Sequence, residues 1–168
     1  MSKPPPKPLT SETLLEDAEL KAVGCLAIES TRLEYMLEAL LKDICKLTAV
    51  EESIFVPSTW TLGPKAKSVK KLMADRIRSK IRKDKLNAIF SKIELAVDRR
   101  NTVIHGRWTS PNAIEQVFGF KNSKAVHPKK PQSAIKASDV MRYARETSEA
   151  LDELLNFYRQ AVRKRRQT

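Results

Sequence analysis

The stretch LNAIFSKIELAVDRRNTVIHGRW, residues 86–108, decides the fold. Leu86, Phe90, Ile93, Val97 and Ile104 fall within roughly 40° of one direction on a helical wheel, the signature of a helix buried on one face. Asp84 is a good N-cap before them and Gly106 a good stop after them, which predicts a helix from about Asp84 to His105. Three polar residues border that stripe. Arg100 falls ~60° to one side of Val97, while Asn101 lies ~40° and His105 ~80° to the other. Arg99, at ~160° on the far side, is expected to face solvent.

Working outward, the same periodicity recurs on both sides. Ser11 to about Lys46 reads as a long first helix, its apolar stripe running Leu15, Ala18, Ala22, Leu26, Leu33, Met36, Leu40, Ile44 and Leu47. Thr48-Ala49-Val50-Glu51 matches a capping box. Pro57 to Gly63 is a loop, and Pro64 suits the start of a second helix reaching about Lys80. Residues 107–137 lack helical periodicity, with partial strand-like alternation from Ala113 to Phe120. Ser138-Asp139 opens a last helix to about Arg163, with a stripe through Val140, Thr147, Leu154 and Val162.

The expected architecture is therefore all-α: an antiparallel bundle of about four helices, with a small irregular or β-hairpin insert before the last helix. Residues 1–10 form a proline-rich arm, and residues 11–168 a single domain ending in the basic tail Arg163-Lys164-Arg165-Arg166.

Composition narrows the partners. The 168-residue chain carries 32 Lys and Arg against 20 Asp and Glu, a net charge of +12. That excess favours a polyanion, nucleic acid first. Cys25 and Cys45 sit on one expected helix about 30 Å apart, so they cannot bridge, and two free thiols suit a reducing cytoplasm. The N-terminal segment has no apolar run of a signal peptide, and no stretch approaches the ~20 apolar residues of a membrane span. The expectation is a cytoplasmic protein without a membrane partner. The two histidines, His105 and His127, lack Cys or acidic neighbours at ligand spacing, so no metal and no cofactor is expected.

The wheel of the first helix places Glu29 within ~20° of Leu40, inside the apolar stripe. A buried carboxylate and a buried guanidinium each need a partner, so Glu29 and Arg100 are expected to pair. Taken alone, that would be a structural ion pair, with His105 an ordinary histidine in a last helical turn.

Arg100-Asn101-x-x-x-His105 also resembles the R-x4–6-H motif of the HEPN superfamily, in which a polar residue follows the arginine. Gly106 and Trp108 fit forms common in bacterial and phage members, and the resemblance spans residues 11–165. One departure is Asp98-Arg99 where Glu-Arg is more usual, which makes Arg99 an alternative arginine. The resemblance implies an all-helical domain that commonly dimerises, so that two motifs share a cleft. It implies a metal-independent endoribonuclease, of the kind found in toxin–antitoxin, abortive-infection and CRISPR-associated phage-defence systems. It implies equally a member that has lost catalysis and binds RNA or a protein partner, such as an antitoxin, which leaves open whether the chain is an enzyme.

The chemistry suits the residues. In metal-free cleavage the ribose 2′-OH attacks the adjacent phosphate, leaving a 2′,3′-cyclic phosphate and a 5′-OH. Histidine ordinarily titrates nearest neutrality, so His105 is the expected proton mover; Arg100 would stabilise the charge of the phosphorane, and Asn101 would orient the imidazole or the phosphate. On an ideal helix Arg100 and His105 lie about 140° apart, so a long arginine, a frayed helix end or a second protomer has to close the gap. For the RNA backbone, Gly63 to Lys85 holds ten basic and two acidic residues, a net +8. Within it Lys65, Lys67, Lys70 and Lys71, with Arg107 beside the motif, are the expected phosphate contacts.

Overall fold

The computed structural model describes residues 17–51, 61–105, 107–110, 113–115 and 135–163. Four long helices run through them: α1 (Asp17–Cys45), α2 (Leu62–Arg76), α3 (Lys80–His105) and α4 (Ala137–Arg163). The fold is an all-α helical bundle. Two short strands, β1 (Arg107–Ser110) and β2 (Ala113–Glu115), pair antiparallel directly after α3. The proline-rich arm, the expected start at Ser11, Gly106, the remainder of the insert and the last residues of the tail lie outside the described residues.

Each helix end has a local cause. Asp17 and Glu19 stand in the first turn of α1, where carboxylates favour the positive end of a helix. At its other end Lys46 adopts φ 54° and the Leu47 N–H donates to the Lys42 carbonyl at 3.1 Å. That is a Schellman closure in which a lysine holds the place a glycine usually takes. The capping box is present: the Thr48 N–H donates to Glu51 Oε2 at 2.8 Å and the Glu51 N–H to Thr48 Oγ1 at 3.3 Å. The Thr48 N–H and the Thr48 hydroxyl, each donating to Glu51 Oε2 at 2.8 Å, hold the Glu51 carboxyl below its ordinary range. Pro64 lies in the first turn of α2, where its missing N–H costs nothing. Asp139 Oδ2 reaches back to the Lys136 N–H at 3.3 Å to seat α4.

The corner between α2 and α3 differs from the expectation. Ile77 is extended (φ −98°, ψ 118°) and buried, and α3 is already helical from Lys80 instead of Asp84. Anchoring the Ile77 side chain in the core lets the chain reverse within three residues. The Lys83 N–H then closes the first turn on the Ser79 carbonyl at 3.0 Å.

α3 packs against each of the other three helices and runs antiparallel to them. Against α4, Lys92 meets Glu153 and Arg99 meets Glu146. Against α2, Val97 packs near Gly63 at one end, while Arg82 shares a cavity with Met73 and Arg76 at the other. Against α1, Val103 lies with Leu26, while Arg82 lies with Ile44. Two core clusters follow. The larger holds Leu33, Leu37, Val69, Leu86, Phe90, Ile93, Leu151 and Leu154. Each such side chain contributes about 1.5–3 kcal/mol by leaving water. The smaller holds Ala22, Leu26, Val103, Val140 and Ala144 beneath the C-terminal end of α3. Among the described residues no helix is long and apolar enough to cross a membrane.

Candidate functional site

The smaller cluster sets the orientation of everything above it. Ala96 and Val103 are buried, while Val97 and Ile104 are only partly so. The inward direction of the last turns of α3 therefore runs through Ala96 and Val103, and Arg99 and Arg100 lie about 50° to either side of it. This corrects the expectation for Arg99, while Arg100, half-buried, borders the buried stripe as its spacing indicated.

Arg99 does not face open solvent. Its side chain is 22% exposed, its Nη1 donates to Glu146 Oε2 on α4, and its guanidinium stacks 4.4 Å from the Tyr143 ring centroid. Arg142 covers the same ring at 5.1 Å and bonds Asp139 Oδ1 at 2.9 Å. The hydrogen bond from Arg142, with that from the Lys136 N–H, holds the Asp139 carboxyl low; in return Asp139 raises Arg142. Two guanidinia, a ring and two carboxylates thus tie the end of α3 to the start of α4.

Arg100 turns the other way. It is half-buried, and its Nη1 lies 3.0 Å from Asn101 Oδ1 and 3.2 Å from His105 Nε2. Asn101 and His105 are exposed. The ~140° between Arg100 and His105 is closed within one chain, by the reach of the arginine along a little over one helical turn. A guanidinium can only donate, so Asn101 Oδ1 accepts, and His105 Nε2 accepts in the tautomer that leaves that nitrogen without a proton. The three motif residues therefore form one cluster at an exposed helix end.

The expected Glu29–Arg100 pair does not form. Glu29 Oε2 lies 3.6 Å from Arg32 Nη1, one turn along α1, and is buried without a hydrogen bond. An arginine on the same helix meets the carboxylate at far lower ordering cost than one reaching across from α3.

The four lysines of α2 have unequal fates. Lys65 is not presented to a phosphate. Its side chain is 4% exposed and its Nζ donates to Glu38 Oε2 at 2.7 Å and Glu34 Oε1 at 3.0 Å. Burial pulls this ammonium down, but the two carboxylates outweigh it and leave it above its ordinary value. Lys70 bonds Glu94 of α3 at 3.0 Å. Lys67 and Lys71 are exposed. Arg107 lies in β1, opposite Glu115.

No protein-family model, curated protein or solved structure matches the chain. Sequence reasoning missed Glu146 and Tyr143 as partners of Arg99, and Glu34 and Glu38 as partners of Lys65. The i, i+4 spacing of Glu34 and Glu38 on the buried edge of α1 was the available signal, since two carboxylates on one face ask for a cation.

Proposed function

We propose that the Arg100–Asn101–His105 cluster is the active site of a HEPN-like, metal-independent endoribonuclease. The observation that carries this reading is the 3.2 Å approach of Arg100 Nη1 to His105 Nε2 at an exposed helix end, in a strongly basic chain. The contact joins an always-cationic donor to a proton acceptor, the two groups that 2′-OH attack on a phosphodiester needs. An incoming phosphate takes up guanidinium donors, and Nε2 then accepts the 2′-OH proton as the new P–O bond forms. The bond to the 5′-oxygen breaks, and that oxygen needs a proton from a second acid. Asn101 holds the arginine between the two tasks.

A second copy of the chain would supply that acid as its own protonated His105, so the reading includes a homodimer. Leu20, Ile28 and Tyr35 are 43%, 67% and 70% exposed along one face of α1, and Gly24 on that face has open space before it. Such an uncovered stripe beside the layer of Leu26 and Val103 suits a helix from another copy. Lys67 and Lys71 offer the RNA backbone charge. The same surface would serve a non-catalytic module that binds RNA or a protein partner, and a toxin or phage-defence role belongs to the catalytic version.

The test is incubation of total and synthetic RNA with purified protein in EDTA, wild type beside His105→Ala, with end-group analysis of the fragments. Cleavage by wild type alone, leaving 2′,3′-cyclic phosphate and 5′-OH ends, is the expected result. Folded wild-type protein that leaves every RNA intact moves the reading to the binding module.

A further inference from the structure

The end of the bundle opposite the motif carries a second candidate site. A cavity of about 530 Å³ opens where the α2–α3 corner meets the C-terminal turns of α1 and α4. This is within the range of about 300–1,000 Å³ typical of small-molecule sites. Ile44, Met73, Ile77 and Ala161 make an apolar floor, and Arg76, Arg78, Ser79, Arg82 and Tyr158 stand around it. Among the described lining residues none is acidic, and the Tyr158 hydroxyl donates to Asp43 Oδ2 at 2.5 Å. Arg76 is held in place by its Nη2 donating to the Ile44 carbonyl at 2.5 Å. Arg78 and Arg82 are exposed, and no acidic residue in the first turn of α3 offsets them.

We infer that this cavity binds a nucleoside phosphate, with the base on the apolar floor and the phosphate on Arg78 and Arg82. Arg78 and Arg82, which have no carboxylate partner among the described residues, stand beside one concave apolar surface where a single phosphate can be shared between them. Planar bidentate donors match phosphate oxygens, and the Tyr158 ring and Met73 offer a base an apolar bed. An inorganic anion would leave the floor wet, and an uncharged aromatic would leave the arginines unanswered. The site is separate from the motif: Arg82 and Arg100 are 18 residues apart on one helix, about 27 Å along its axis. The inference therefore stands whether or not the chain cleaves RNA. The ligand is either a free nucleotide or the phosphorylated end of a nucleic-acid strand.

The test is a fluorescence titration of the full chain with methylanthraniloyl-ATP. Competitors are ATP, adenosine, inorganic tripolyphosphate and a 5′-phosphorylated deoxy-hexaadenylate, which has no 2′-OH to cleave. Saturable binding is expected, displaced by ATP at concentrations about tenfold or more below those needed for adenosine or tripolyphosphate. Arg78→Ala/Arg82→Ala is expected to weaken binding about 30-fold or more, with unchanged circular dichroism because both side chains are exposed. Lys21→Ala/Arg145→Ala, which removes the same charge elsewhere, is expected to change it no more than about twofold. Stronger displacement by the deoxyoligonucleotide than by ATP identifies a strand end as the ligand; the reverse identifies a free nucleotide. The inference is overturned by folded wild-type protein that shows no saturable binding, by equal losses in the two double variants, or by tripolyphosphate competing as well as ATP.

Discussion

Arg99 and Arg100 are neighbours with opposite surroundings. Arg99 is shared between a carboxylate and an aromatic ring on another helix, and its contacts bind α3 to α4. Arg100 touches only residues of its own helix, both exposed, in the contacts the structure assigns it. A charge satisfied across an interface is committed to the fold. A charge held beside a ring nitrogen at an exposed end remains able to exchange its partners for a ligand. The same contrast separates Lys65, enclosed by Glu34 and Glu38, from exposed Lys67 two residues on.

The comparison is broken most readily at His105. His105→Ala is expected to lower RNA cleavage by about 10²–10⁴-fold while leaving the melting temperature within a degree or two, measured by single-turnover kinetics and calorimetry. A large fall in melting temperature would place His105 among the structural residues instead. Next in size is Lys65→Met, which leaves Glu34 and Glu38 facing each other without a cation. It is expected to cost about 2 kcal/mol in urea unfolding, less than a fully buried pair because both carboxylates are about one-third exposed. The direction of the Lys65 shift adds a pH signature. An ammonium raised in the folded state contributes stability that is complete below its ordinary value of 10.5 and is lost as pH rises through its folded value. Wild type should therefore lose stability above pH 10.5 more steeply than Lys65→Met, and parallel curves would remove the pair from the account.

Glu146→Ala is expected to cost about 1 kcal/mol, since the Arg99 pair is only partly shielded from water. For a domain of this size that is a drop of about 2–4 °C. Smallest is Gly24→Ala, where an added Cβ meets nothing within 4 Å and should stabilise the monomer by about 0.5–1 kcal/mol in thermal melts. At concentrations where the proposed homodimer forms, the same substitution is expected to lose that gain, because the added Cβ then meets the second copy.

How much of this could be read without a structure depended on the range of the interaction. Helical periodicity and the Thr48–Glu51 box are local, and spacing alone exposed them; it also put Arg100, Asn101 and His105 at one helix end but about 140° apart for Arg100 and His105, and the reach of the arginine side chain is what joins them. The partition of Arg99 and Arg100 was not legible, because a wheel built on Val97 and Ile104 assumes one buried direction. α3 has three neighbours, and Ala96 and Val103 rotate its inward face toward Arg99. Lys65 looked like one more surface lysine because a charge count cannot see carboxylates on α1. The corner at Ile77 was displaced because helix formers continue through it and only burial of that side chain decides the turn.

The most direct measurement compares Arg99→Ala with Arg100→Ala in two assays, thermal unfolding and RNA cleavage in EDTA. The account predicts a double dissociation. Arg99→Ala melts lower by several degrees yet cleaves at near the wild-type rate when assayed well below its transition, whereas Arg100→Ala melts like wild type and loses about 10²-fold or more in rate. Loss of cleavage with Arg99→Ala and its retention with Arg100→Ala would contradict the assignment and move the site to the α3–α4 face.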